Sequence, residues 1–323
     1  MAWQISGGTV QPAVNSIKAH NFTHKSQAAE EIAAVTKPHY DGSEWSTAGI
    51  EQVLSSFYSA PATFADSINV VEKAIDLHDN QHVAKSNAGG TAGIFAHKAA
   101  GTAIGGTVGS AGAVLEQAMV DAWGPRCIEL LTSLKNHMTN VGGTWHTAPD
   151  LFNSVGTLPS AITTKADLCA WTIVLRSVYE AHRGYGSGVE HSSADSTNTI
   201  AAAPPDNSDD FDGILAVLVE VADELEDHVE DAAYHNAAMS VTYTVAAYPA
   251  AVSTAFTRAN AFKSGHNSHI TDTALHESSD GTNGIAASNA TTIATYIALA
   301  AEIYTDQTAH FRFAPVSAAQ RGV

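Results

Sequence analysis

Charge is scarce in this sequence, and positive charge scarcest. Lysine and arginine number 15 in 323 residues against 33 acidic residues, and charged residues of all kinds make up 15%, where a soluble domain carries about a quarter. The net charge is -18 and no basic run occurs anywhere. Electrostatic binding to nucleic acid or to an anionic membrane is therefore not expected. Strong apolar runs are missing too, so no segment reads as a transmembrane helix. The opening MAWQISGGTV has neither a basic n-region nor an apolar h-region and is not expected to be a secretory signal. Cysteine is nearly absent. Cys127 and Cys169 have no CxxC partner, which excludes zinc ribbons and thioredoxin-type redox chemistry. Both fall in apolar, helical-looking stretches where a buried free thiol is ordinary, and a disulfide between them is the lesser reading. Catalytic signatures are lacking as well: GTAIGG does not end as a P-loop, no GxGxxG follows a strand, and no GxSxG elbow appears. The chain reads as a non-enzyme with no cofactor.

What remains is ample for a folded protein. Apolar residues make up 45% of a chain long enough to bury a sizeable core, and small polar residues fill the surface. Histidine is abundant, with 16 copies, and it is not scattered. Three stretches align: WHTAPDLFNSV (145–155), EHSSADSTNTI (190–200) and LHESSDGTNGI (275–285). Each has His, Asp four later, Asn seven later, and Val or Ile nine later. The triples are His146/Asp150/Asn153, His191/Asp195/Asn198 and His276/Asp280/Asn283.

An earlier histidine precedes each triple: His137 before His146, His182 before His191, His266 before His276. Ahead of it comes an apolar-periodic segment, as in CIELLTSLKNH, WTIVLRSVYEAH and STAFTRANAFKSGH. Two further segments have this part alone, ILAVLVEVADELEDH ending at His228 and TYIALAAEIYTDQTAH ending at His310. The helix-ending histidines 137, 182, 228, 266 and 310 are spaced 45, 46, 38 and 44, a repeat of roughly 45 residues. His235 follows His228, but that copy lacks the Asp and Asn. Weaker copies end at His20 and His78.

These patterns predict a mainly α fold: repeated helices joined by long ordered loops at 139–150, 183–198, 201–210 and 264–284. The β-branched run MSVTYTVAAY (239–248) reads as one short β element. The chain divides into an N-terminal helical region, 1–120, with a glycine-rich arm at 88–115, and a helical repeat region, 121–323. In the arm, Gly89, Gly93, Gly101, Gly105 and Gly109 fall at multiples of four. That is a smooth face on a helix, although glycine destabilises an exposed one. The arm reads as mobile or as a close inter-subunit contact.

The triples admit two readings. Asp and Asn cap turns through side-chain to backbone bonds, and His then pins the loop to its neighbour: a structural joint. Alternatively His and Asp ligate a metal that staples the loop. Repetition favours the joint, since an active site seldom appears three times in one chain; catalysis is the weakest reading. The HxxxH pairs His20/His24 and His78/His82 share a helix face, but Asn21 and Asp79 stand where a metalloprotease needs Glu, so the spacing reads as incidental. Trp145 and Trp171 read as contact anchors, Trp171 more readily as core.

The unit helix–His–loop–His-xxx-Asp-Ser/Gly-Thr-Asn-x-Ile resembles a repeat in virion structural proteins of tailed bacteriophages. YEAHRGYGSGVEHSSADSTNTI (179–200) carries the resemblance best, and HNSHITDTALHESSDGTNGI (266–285) next. It spans roughly 127–310; the His235 copy departs from it, and residues 1–120 are covered poorly. The resemblance implies non-enzymatic assembly in a virus particle, built in the host cytoplasm, as head decoration, neck or tail component. The implied partners are other virion proteins. Loops this long are uncommon within a self-contained domain, which adds the expectation of a symmetric homo-oligomer. The competing expectation is a metal- or carbohydrate-binding adhesion module of a tail appendage.

Overall fold

The computed structural model of the chain describes residues 60–76, 78–79, 103, 110–139, 146, 149–150, 153–185, 191, 193–235, 241–273 and 279–312. His20, His24, His82, Trp145, His276 and nearly all of the glycine-rich arm before residue 110 lie outside them. The protein is mainly helical. Among the described residues the helices, in chain order, are α1 (Phe64–Asp76), α2 (Gly112–Thr139), α3 (Lys165–Arg183), α4 (Phe211–Glu230), α5 (Ala250–Ile270) and α6 (Ile293–Arg312). None of them is long and apolar enough to cross a membrane.

The chain forms two compact units. One comprises Met1–Gly109, Ala255–Thr291 and Thr295–Val323; the other comprises Ser110–Thr254 and Thr292–Ala294. In the second unit α2, α3 and α4 pack on one another. Each helix buries one stripe: Leu115, Met119, Trp123, Cys127, Leu130 and Leu134 on α2; Leu168, Thr172, Leu175 and Tyr179 on α3; Phe211, Ile214, Leu218, Val221 and Leu225 on α4. Steps of three and four keep a stripe on one side of a helix. The next position along each stripe is a buried histidine: His137, His182 and His228. The core pattern therefore delivers one imidazole to the C-terminal end of every helix.

Local signals set the helix starts. Thr164 accepts the Asp167 N–H at the start of α3, and Asp210 accepts the Gly213 N–H at the start of α4, satisfying amide donors that have no partner within the helix. α2 begins inside the glycine-rich stretch and runs through Pro125. A Cβ on Gly124 would lie 2.9 Å from the carbonyl oxygen of Ile162, so glycine permits that close approach.

In the other unit, α6 meets both α1 and α5. Phe64 and Phe256 both pack on Tyr296, and buried Gln307 donates to the Ala74 carbonyl at 2.9 Å. The buried run on α6 is Tyr296, Leu299, Ile303, Gln307 and again a histidine, His310.

The loops are long but tied to their own helices. Glu220 accepts the N–H groups of Ala201 and Ala202, Glu180 accepts that of Ile200, and Arg176 donates to the carbonyls of Ile200 and Ala202. Glu302 and Asn260 hold 286–290 in the same way. Side chains thus replace the ladder bonds that the loop backbone lacks. This order arises within one chain and does not itself call for a neighbouring subunit.

Three local expectations change. The loop expected from 264 begins later, because α5 runs on to Ile270. Residues 241–248 form no strand; their groups bond singly to helices, as when Tyr243 N–H donates to Glu226 and Trp123 Nε1 donates to the Ala246 carbonyl. Trp171 is only half-buried, whereas Trp123 is fully enclosed. Cys127 and Cys169 are both buried and free.

Candidate metal centre

Six histidines of the α2–α4 unit converge: His137, His146, His182, His191, His228 and His235, all between 0% and 7% exposed. Each helix contributes one from its last turn, and the loop after it contributes a second. The loop turns back by a backbone bond to the residue after the helix histidine. Asp150 N–H donates to the Met138 carbonyl at 2.9 Å, and Asp195 N–H donates to the Arg183 carbonyl at 2.8 Å. That bond brings His146 back beside His137 and His191 back beside His182; in the third repeat a shorter turn places His235 beside His228.

The ring positions describe an octahedron. Twelve ring pairs have centroids between 4.4 and 5.5 Å apart. Every histidine belongs to four of these pairs and stands opposite the one it does not contact. The opposed pairs are His137/His191, His146/His228 and His182/His235. An octahedron has twelve edges and three such axes, and each axis here joins a helix histidine to a loop histidine. Edges of 4.4–5.5 Å place the ring centres about 3–4 Å from the middle. A ring nitrogen lies roughly 1 Å inside the ring centre, so the donor atoms stand about 2–3 Å from the middle, bracketing a metal–imidazole bond of about 2.0–2.1 Å. The ligating atoms of His137, His146, His191 and His235 lie within 4.8 Å of one another, as do those of His137, His182, His191 and His228. The two sets share the His137/His191 axis and together contain all six residues.

Hydrogen bonds at the outer nitrogens orient the rings. Nδ1–H of His182 donates to Asp150 and that of His228 to Asp195, both at 2.8 Å. Nδ1–H of His191 donates to the Tyr185 carbonyl and that of His235 to the Asp231 carbonyl, both at 3.1 Å. A proton held on Nδ1 leaves Nε2 with its lone pair. Nε2 of His146, His191, His228 and His235 is buried without a hydrogen-bond partner. An unsatisfied buried polar atom costs about 1–3 kcal/mol, and four gathered at one place are not an ordinary core feature. A cation would satisfy them all, and the C-terminal ends of three helices, which carry partial negative charge, favour one there.

The electrostatics agree. Burial is the main cause that holds His146 and His191 down at about 3 and His235 at about 4, with repulsion between neighbouring imidazoles adding to it. His137 is lowered for the same reasons. These imidazoles are neutral at pH 7, the form that binds metal. Burial raises Asp150 and Asp195, but hydrogen bonds from His182 and Asn153, and from His228, Asn198 and Thr197, outweigh it and hold both carboxyls well below the usual range.

The members of each triple take different parts. Asp150 accepts from the N–H and side-chain amide of Asn153. Asp195 does so from Asn198 and Asp280 from Asn283, forming the capped turn. Each Asp also accepts from the helix histidine of the following repeat: His182, His228 and, in the other unit, His310. His146 and His191 go to the octahedron, and His276 lies outside the described residues. Sequence reasoning set His137, His182, His228 and His235 aside as helix and loop markers. The signal was present in the recurring pair of histidines, nine residues apart at His137/His146 and His182/His191 and seven at His228/His235: two per repeat over three repeats is six. What repeats is the ligand pair, not the site.

No known protein family, curated protein or solved structure matches this chain.

Proposed function

We propose that this chain is a non-enzymatic structural protein whose helical repeats are locked together by a six-histidine metal centre, and that it serves as a component of a tailed-virus particle. The observation that carries the first part is the closed octahedron. All six positions around its middle are taken by protein nitrogens, whereas a catalytic metal keeps one position open for water or substrate. A closed centre joins α2, α3, α4 and their loops at one point and acts as a staple. Imidazole ligands suit iron, nickel, copper and zinc. Six-fold octahedral placement disfavours zinc, which prefers four ligands, and copper(II), which prefers a tetragonal set. The ion is thus a divalent one of the iron-to-nickel series. The virion role rests on the resemblance of 127–310 to phage structural repeats and on a weakly charged surface of small polar residues.

The adhesion-module reading of a tail appendage shares the metal centre, and the buried octahedron favours it to that extent. In that case the metal orders loops that meet a host surface.

Native mass spectrometry of the full chain, purified without immobilised metal, tests the proposal. The expected result is a discrete oligomer carrying metal that strong chelator removes. A metal-free chain that takes up neither iron(II), cobalt(II) nor nickel(II) would overturn the staple. A lone monomer that never assembles would overturn the particle role.

A further inference from the structure

We propose that the unit containing α1, α5 and α6 holds a second metal ion, with His78, His269 and His310 as ligands. The inference rests on the first centre being a metal site, because its argument is that the same device is built again. In the first centre each helix supplies a histidine from its last turn. Here His269 is the penultimate residue of α5, His310 is two residues before the end of α6, and His78 stands two residues after the end of α1. All three are buried. The ring centres of His78 and His269 are 4.8 Å apart and those of His269 and His310 are 5.5 Å apart. The three helix histidines of the first centre stand 5.1, 5.3 and 5.5 Å apart.

The carboxylate support is also repeated. Nδ1–H of His310 donates to Asp280 at 2.9 Å, as His182 does to Asp150 and His228 to Asp195. Nδ1–H of His78 donates to Asp79 at 2.8 Å. Both bonds leave Nε2 as the ligating atom. The turn is the same one: Asp280 N–H donates to the carbonyl of Ile270 at 2.8 Å, the residue directly after His269, just as Asp195 bonds the residue after His182. By that criterion His269, and not His266, is the helix histidine of this repeat. His266 sits one turn earlier, stacked on Phe262 with its ring 5.6 Å from His310. Its Nε2–H donates to the Asn283 carbonyl, while its Nδ1 is buried without a partner, a further basic nitrogen in the same cluster. Burial holds His266 and His310 below the usual histidine range. Helix C-termini again lend negative potential. Three histidines leave further coordination positions to be filled, so this ion is less enclosed by these residues than the first.

Metal stoichiometry tests this. The full chain is stripped with chelator, reloaded with cobalt(II), and counted by native mass spectrometry. Two ions per chain are expected in the wild type and one in the double variant His269→Ala/His310→Ala. His182→Ala/His228→Ala should likewise drop to one, by loss of the first ion. Asp280→Asn keeps every ligand and the turn oxygen, and should weaken only one of the two ions, by about 10–100-fold. One ion in the wild type that survives His269→Ala/His310→Ala would overturn the second site and leave the first centre standing. One ion that survives His182→Ala/His228→Ala would instead overturn the first centre. No ion in any form would overturn both.

Discussion

Asp195 accepts a hydrogen bond at 2.8 Å from Nδ1–H of His228, and both side chains are fully buried. The carboxylate belongs to the loop after α3 and the imidazole to the end of α4, so the bond joins one repeat to the next. It also fixes which ring nitrogen faces the centre. Replacing Asp195 with Asn keeps the size and an acceptor oxygen but removes the charge. Metal affinity is expected to fall by about 10–100-fold, measured by competition with a chelator of known strength. An unchanged affinity would mean that His228 is not a ligand.

Removing the metal should loosen the whole α2–α4 unit. A ligand present at a thousand times its dissociation constant stabilises by about 4 kcal/mol, and 1 kcal/mol moves the midpoint of a unit this size by about 2–4 °C. Thermal melts with and without chelator are therefore expected to differ by roughly 8–16 °C. Coincident melts would show that the helices hold without the staple.

The chelator-stripped protein should be acid-sensitive from near neutrality. His146 and His191 titrate at about 3 and His235 at about 4 in the folded chain, chiefly because burial disfavours charge, against about 6.5 when unfolded. Their folded values are depressed, so the unfolded state binds more protons. Stability is full above pH 6.5 and is lost as pH falls from 6.5 toward 3. Each histidine contributes about 1.4 kcal/mol per pH unit inside that window, so the three together contribute roughly 4 kcal/mol per unit. Asp150 and Asp195, also depressed, add a loss of the same sign below about pH 4. Denaturant midpoints of stripped protein at successive pH values from 8 to 4 give the slope. A flat profile would contradict a cluster of neutral, buried imidazoles.

Much of this was open to sequence reasoning, and the rest was hidden for physical reasons. Helix existence followed from stripes such as Phe211, Ile214, Leu218, Val221 and Leu225, because a three-four step has one structural meaning. The turn at Asp195 and Asn198 was legible because Asx capping is local. The octahedron was not, because it is assembled from three repeats through core packing, and spacing alone does not say which ends of which helices coincide. The end of α5 was misplaced for a related reason. His266 and His269 both suit the last turns, and only the bond from Asp280 to Ile270 selects between them. The β-branched run at 241–248 misled because propensity describes a residue's preference, not whether an edge is there to pair with.

Cobalt(II) loading offers a direct reading of geometry. The twelve-edge ring arrangement, with His137 opposite His191, His146 opposite His228 and His182 opposite His235, requires six nitrogens around one ion. Octahedral cobalt(II) absorbs weakly in the visible, whereas four-coordinate tetrahedral cobalt(II) absorbs strongly, and the geometry separates metal types as well. The His269→Ala/His310→Ala variant isolates the first centre for this measurement. Its expected spectrum is weak, with X-ray absorption showing six nitrogen neighbours at about 2.1 Å. Removing one axial ligand by His191→Ala should then let a water enter and leave five nitrogens. An intense tetrahedral spectrum in the parent would mean that only four of the six histidines bind. The centre would then have room for a fifth group, and the argument from closure to a purely structural role would fall with it.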